Sequence, residues 1–139
     1  MKFHHDKAYA LNWLSNFYRE CGYGGEFDGS DDVYFVSKNE TIIGVVRIAK
    51  EHGFYILRGM QVLPLMRGNQ IGRELLEYLD LHLARHSNSC FCLPHDHLKS
   101  FYGDIGFKSL SDHLAPEFIR VRKEKYSERG LKVSLLFRE

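Results

Sequence analysis

At 139 residues, 44% apolar and 27% charged, the chain has the make-up of an ordinary globular protein; a domain of this length buries roughly two-thirds of its unfolded surface, which argues against disorder. A formal net charge of +1 argues against general nucleic-acid or anionic-membrane binding, which needs a strong basic field, and favours a small molecule or a defined protein as partner. No apolar run is long enough to cross a bilayer and "MKFHHDKAYA" has no signal-peptide core, so a cytoplasmic protein is expected.

One domain over residues 1–139 is expected. Residues 6–21 place Leu11, Leu14, Phe17, Tyr18 and Cys21 at helical spacing before the stop "GYGG", which predicts an amphipathic helix. "DVYFVS" and "TIIGVVRIAK" follow as two strands closed by the polar turn "KNE", and "FYILRGMQV" is a third, so three neighbouring antiparallel strands are predicted. From Ile71 to His86 the period is helical again, with Ile71, Leu75, Leu79 and Leu83 as the apolar stripe. "SCFCL" reads as a short buried strand, residues 97–104 as a short helix and "GFKSL" as a strand. "APEFIRVRKEKYSER" is a helix opened by proline, its charge run being the wet side, and "LKVSLLF" is a last strand. The three cysteines, an odd count, are expected as free and mostly buried thiols.

"MQVLPLMRGNQIGRELLEYL" passes from a strand across a short Arg-Gly loop straight into a helix. A helix start offers unpaired N–H groups and a partial positive charge, a natural seat for phosphate. Gly68 and Gly72 allow close approach, and Arg67 and Arg73 add charge. The stretch lacks the Lys-Ser/Thr of a P-loop and the glycine spacing of a dinucleotide fingerprint.

"MQVLPLMRGNQIGRELL" followed some thirty residues later by "FYGDIGF" resembles the GNAT superfamily of N-acetyltransferases, whose acyl-CoA motif reads Arg/Gln-x-x-Gly-x-Gly/Ala at a helix start. The resemblance covers residues 41–110; the ends agree in element type. It implies an α/β fold with a mixed, mostly antiparallel sheet flanked by helices, and transfer of an acetyl group from acetyl-CoA to a primary amine by direct attack. It further implies that the strand ending at Val62 splays from that at Cys90 to Leu93. Backbone groups of Met60 and Val62 would pair with the pantetheine arm, the Met60 N–H facing the thioester carbonyl. The pyrophosphate would sit on the amides of Arg67, Gly68, Asn69, Gln70, Ile71 and Gly72, beside Arg73, and Tyr102 would protonate the departing thiolate. A phenol is chemically suited to that task, and a fixed N–H to stabilising an oxyanion.

Two departures from the pattern stand out. Gln70 occupies a position that is usually glycine; a positive φ there would cost the side chain roughly 1 kcal/mol. Some members carry a glutamate four residues before the Met60 position, where this chain has Ile56. An alkyl ammonium of pKa about 10.4 is neutral about once per thousand molecules at pH 7.4, a penalty of about 4 kcal/mol, so another base is needed. His95, Asp96 and His97 at the start of the short helix are the candidates, directly or through water; Asp96 as an N-cap and the histidines as surface residues is the other reading.

Cys90, Cys92, His95 and His97 have the residue types of a zinc site, but Cys-x-Cys-x-x-His-x-His is not a usual zinc spacing, and no metal is assigned. Arg58 shares a strand face with Met60 and Val62, where it would either favour an acidic group on the substrate or pair with a glutamate. Tyr102 beside Phe101 is catalyst or core packing on residue type alone. The acceptor is left open among small-molecule, peptide and protein amines. The alternatives to an enzyme are a catalytically weak or inactive CoA-binding module of the same fold, or a zinc-holding interaction protein. An exposed edge strand would suit a homodimer.

Overall fold

A computed structural model describes residues 1–86 and 89–139. Its strands are β1 (Lys2–Lys7), β2 (Asp32–Lys38), β3 (Thr41–Glu51), β4 (Phe54–Val62), β5 (Cys90–Cys92), β6 (Lys108–Ser109) and β7 (Leu136–Arg138). They form one sheet in the order β1-β2-β3-β4-β5-β7-β6, in which β4 and β5 run parallel and the other neighbours antiparallel. The helices are α1 (Leu14–Glu20), α2 (Ile71–His86), α3 (Lys99–Gly103) and α4 (Glu117–Glu128).

The predicted β2-β3-β4 meander is present, and its two turns explain its register. Asn39 and Glu40 have φ of 51° and 65°, and His52 and Gly53 have 51° and 84°. Two-residue loops with positive φ at both positions match the twist of antiparallel strands, so each hairpin closes without a longer loop.

Strand alternation gives the sheet two different faces. One carries Tyr34, Val36, Val46, Ile48, Leu57, Cys90 and Cys92, packed on Ile71, Leu75, Leu76, Leu79 and Leu83 of α2 and on Tyr102 of α3. Each fully buried leucine there contributes about 1.5–3 kcal/mol relative to exposure. The other face carries Val33, Phe35 and Val45 beneath α1, then Ile56 and Phe91 beneath Ile119 of α4. Cys90 and Cys92 are buried and Cys21 is half-buried, all three as free thiols.

The predicted helix over residues 6–21 is shorter than its apolar spacing suggested: residues 2–7 are an edge strand and α1 starts at Leu14. The N–H groups of Ala8 and Tyr9 donate to the carbonyls of Asp31 and Gly29 at 2.9 and 3.0 Å, which ties this segment to the loop before β2. "GFKSL" contributes Lys108–Ser109 alone, and "LKVSLLF" is strand only from Leu136, preceded by an isolated bridge between Val133 and His95.

Candidate active site

β4 and β5 are paired at Tyr55 with Cys90, Ile56 with Phe91 and Leu57 with Cys92. β5 ends there while β4 runs on to Val62, so the stretch from Arg58 onward parts from its neighbour. The opening is a cleft of about 300 Å³, lined from β4 by Ile56 through Gln61 and on the other side by Cys92 to His95, Leu98 and Tyr102.

The parting coincides with a bulge. Between the pairs Arg47 with Arg58 and Val45 with Gln61, β4 has two residues, Gly59 and Met60, against the single Val46 of β3. Gly59 has φ of 65°, and a Cβ added to it would stand 2.5 Å from the Tyr18 hydroxyl and 2.9 Å from Arg47 Nε. Such contacts leave room for glycine only.

A buried polar cluster fixes this bend. The Tyr18 hydroxyl donates to the Gly59 carbonyl at 2.9 Å and accepts from Arg47 Nε at 2.9 Å. Arg47 is fully buried; its Nη1 reaches Asp31 at 2.6 Å, and its Nη2 donates to the Tyr23 hydroxyl at 3.2 Å and the Glu26 carbonyl at 3.3 Å. Burial pushes the Tyr18 phenol far above its ordinary value, against the pull of Arg47, so it stays a donor. None of these residues was a sequence candidate, although one arginine inside the apolar run "TIIGVVRIAK" was a visible signal.

Tyr102 sits across the cleft from β4, 5% exposed. Its burial raises the phenol well above the ordinary value, so it holds its proton at neutral pH. Gly106, at φ of 92°, turns the chain so that Phe107 returns edge-on to the Tyr102 ring at 6.2 Å, and the Phe107 N–H donates to the Tyr102 carbonyl at 3.4 Å. The Phe-Tyr-x-x-x-Gly-Phe run is therefore a device for holding this ring.

The loop before α2 borders a second depression, on the α3 side of the sheet, which meets the first at Leu98. Gly68 has φ of 85° with open space about it, and Gln70 has φ of 61°, so the non-glycine residue does stand in the left-handed region. Gly72 acts in packing, since a Cβ there would come within 3.2 Å of the Phe101 ring. Ile71 is a core residue. Asn69 Nδ2 donates to the Met66 carbonyl at 3.1 Å. Arg67 Nε donates to the Val62 carbonyl at 3.0 Å, and Arg73 pairs with Asp104 at 2.9 Å, both in exposed positions.

On the face opposite α2, Arg58 lines the cleft together with Arg122 and Tyr126 of α4, Tyr23 and Val133. Arg58 lines the cleft, and its Nη1 stands 3.6 Å from Glu51 Oε2, so the expected pairing with a glutamate is present. It does not share a face with Met60 and Val62 as strand alternation predicts, because the bulge at Gly59 breaks the alternation and those two pack on the α2 side. Of the three proposed bases, His95 lines the cleft. Asp96 does not, because its carboxylate accepts from the Ser134 hydroxyl at 2.7 Å, and it gives its helix start no side-chain cap; His97 also lies outside the lining. The His95 and His97 rings stack at 5.8 Å, while Cys90 and Cys92 face the α2 core. Among the described residues no three His, Cys, Asp or Glu side chains group to hold a metal ion.

Residues 29–109, more than half of the chain, match the acetyltransferase (GNAT) domain family. No curated protein is matched by the sequence. Among solved structures, an N-acetylglutamate synthase from Neisseria gonorrhoeae, complexed with coenzyme A and N-acetyl-glutamate, superposes with a TM-score of 0.72 at 13% identity, covering 99% of this chain and 35% of that one. This chain thus spans about a third of that synthase. Escherichia coli ElaA gives 0.69 at 16% identity over 100% of both chains, and an acyl-CoA N-acyltransferase from Pseudomonas aeruginosa 0.66 at 14%, also over 100% of both. The sheet that opens between β4 and β5 and the matched sequence agree, and the chain belongs to the GNAT family of acetyltransferases.

Proposed function

We propose that the protein transfers an acetyl group from acetyl-CoA to a primary amine, by direct attack of the amine in the cleft between β4 and β5. The observation that carries this reading is the parting of the strands after Leu57, with Tyr102 facing the opening and the α2 loop at its end. The residues present suit a CoA thioester: the loop of Arg67 to Gly72 offers the amides of a helix start, with open space at Gly68, to a pyrophosphate. When bound, acetyl-CoA supplies the activated acyl group.

The chain's own residues supply the rest. The Met60 N–H, on the bulge fixed by Tyr18 and Arg47, is assigned to the carbonyl oxygen, where negative charge gathers during attack. Tyr102, held protonated by burial, is assigned to the leaving sulfur. His95 is the base candidate in the lining, drawing the ammonium proton directly or through one water. Val62 borders the pantetheine path; its carbonyl already accepts from Arg67 Nε at 3.0 Å, so that exposed side chain competes with the arm for the oxygen.

The test is release of CoA thiol from acetyl-CoA across a panel of primary amines. Tyr102→Phe is expected to lower kcat about 100-fold or more, the usual scale for a lost acid, while the dissociation constant for acetyl-CoA stays unchanged. A variant that turns over like the parent removes Tyr102 from the mechanism. Acetyl-CoA binding with no thiol release from any amine favours the binding module, a reading to which the strained Gln70 lends some support.

A further inference from the structure

The acceptor side of the cleft is charged in one sense. The charged side chains in its lining are Arg58 and Arg122, with no Asp or Glu among the described residues. The nearest carboxylate, Glu51, is shared unequally. Arg122 grips it with two hydrogen bonds, Nη1 to Oε2 at 3.0 Å and Nη2 to Oε1 at 2.6 Å, while Arg58 approaches one oxygen at 3.6 Å. Two guanidinium groups against one carboxylate leave one positive charge in excess, and Arg58 is the group with donors to spare.

This charge is not where the donor's phosphates are expected. Arg58 pairs with Arg47 across β3 and follows Ile56 on the same sheet face, the face covered by α4; the α2 loop lies on the opposite face. Arg58 is also two residues from Met60, across the Gly59 bulge, so their Cα atoms are at most about 7 Å apart, a separation of small-molecule size. A positive field at that spot attracts an anionic group on the acceptor.

We infer that the acceptor is a small amine bearing a carboxylate, of amino-acid size, with its carboxylate bound by the free edge of Arg58 beside the Arg122–Glu51 pair. A planar guanidinium edge matches a carboxylate in two-point contact, which is why this anion is assigned. The inference rests on the acyl-transfer reading, since it takes the cleft at Met60 as the place of reaction.

The experiment is calorimetric titration of the CoA-loaded protein with N-acetylglycine, N-acetylleucine and N-acetylaspartate, each against its amide in which the α-carboxylate is neutralised. At least one acid is expected to bind tenfold or more tightly than its amide. Arg58→Gln should bring that ratio close to one without changing CoA affinity, and Glu51→Gln, which removes the competing carboxylate, should tighten the acid. Acids and amides that bind alike, no binding by any of them, or a ratio that survives Arg58→Gln overturns the inference. The acid-to-amide ratio of the unaltered protein needs no variant to fold. Failure of CoA itself to bind refutes acyl transfer instead, and titration of the CoA-free protein still reads the carboxylate site.

Discussion

Gln70 shows what a single side chain costs in this loop. It stands at φ of 61°, where an L side chain crowds its own backbone, and its carbonyl accepts the Glu74 N–H at 3.1 Å, so the residue cannot rotate away without loosening the first turn of α2. Gln70→Gly is expected to stabilise the protein by about 1 kcal/mol, a rise of a few degrees in Tm by calorimetry for a domain of this size. Asn39 and His52 bear the same strain in the hairpin turns, but there the strands on either side impose it. Sequence alone marks Gln70 as a departure from a glycine pattern and leaves its φ conditional. Arg47 was legible in a weaker sense: a charge in an apolar run announces a partner or an edge, but Asp31, Tyr18 and Tyr23 reach it only through the fold.

Among the elements, β4 bears two roles, and its bulge separates them. Up to Leu57 it is paired on both sides; from Arg58 on it keeps only β3 as a neighbour and its other edge is open to the cleft. Gly59→Ala would force a Cβ into the Tyr18 hydroxyl and the buried Arg47, and it is expected to cost about 2–4 kcal/mol by denaturant titration, with kcat falling more steeply than affinity for acetyl-CoA. The hairpins, α2 and the Gly-Phe turn after Tyr102 were legible because each writes its own local signal of period, turn residue or motif. β1 was not, since "KFHHDK" has no apolar alternation and is made a strand by pairing: His4 Nε2 meets Ser37 Oγ at 2.9 Å and the His5 ring stacks on Tyr34 at 4.3 Å. The helix read over residues 6–21 lost its first half for the same reason in reverse, because long-range hydrogen bonds to Asp31 and Gly29 outweighed local spacing there. The bulge left one trace, Gly59 within a strand pattern, which by itself does not say which way the strand bends.

Across the whole molecule, Glu51 joins parts far apart in sequence, the end of β3 to α4 through Arg122, 71 residues on. Hydrogen bonding from Arg122 holds the Glu51 carboxyl below its ordinary value, against partial burial. A carboxyl lowered on folding adds stability above its unfolded pKa of about 4.3, and that stability is lost as pH falls through the folded value. The stability gap between the parent and Glu51→Gln is therefore expected to be widest above about pH 5 and to close at lower pH, as read by urea titration across the acid range. Among the described residues no helix is long and apolar enough to cross a membrane.

The alternation of β4 reaches further than packing. Leu57 belongs to the core under α2, while Ile56 and Arg58 belong to the face under α4. Neighbouring positions on one strand thus answer to different constraints, one set by the core and, on the acceptor reading proposed above, one by the amine. On that reading a lineage, or an engineer, is free to rewrite Arg58, Arg122 and Tyr126 for a new acceptor while the codons for Leu57 and the α2 loop stand still, so that change of taste needs no change of chemistry.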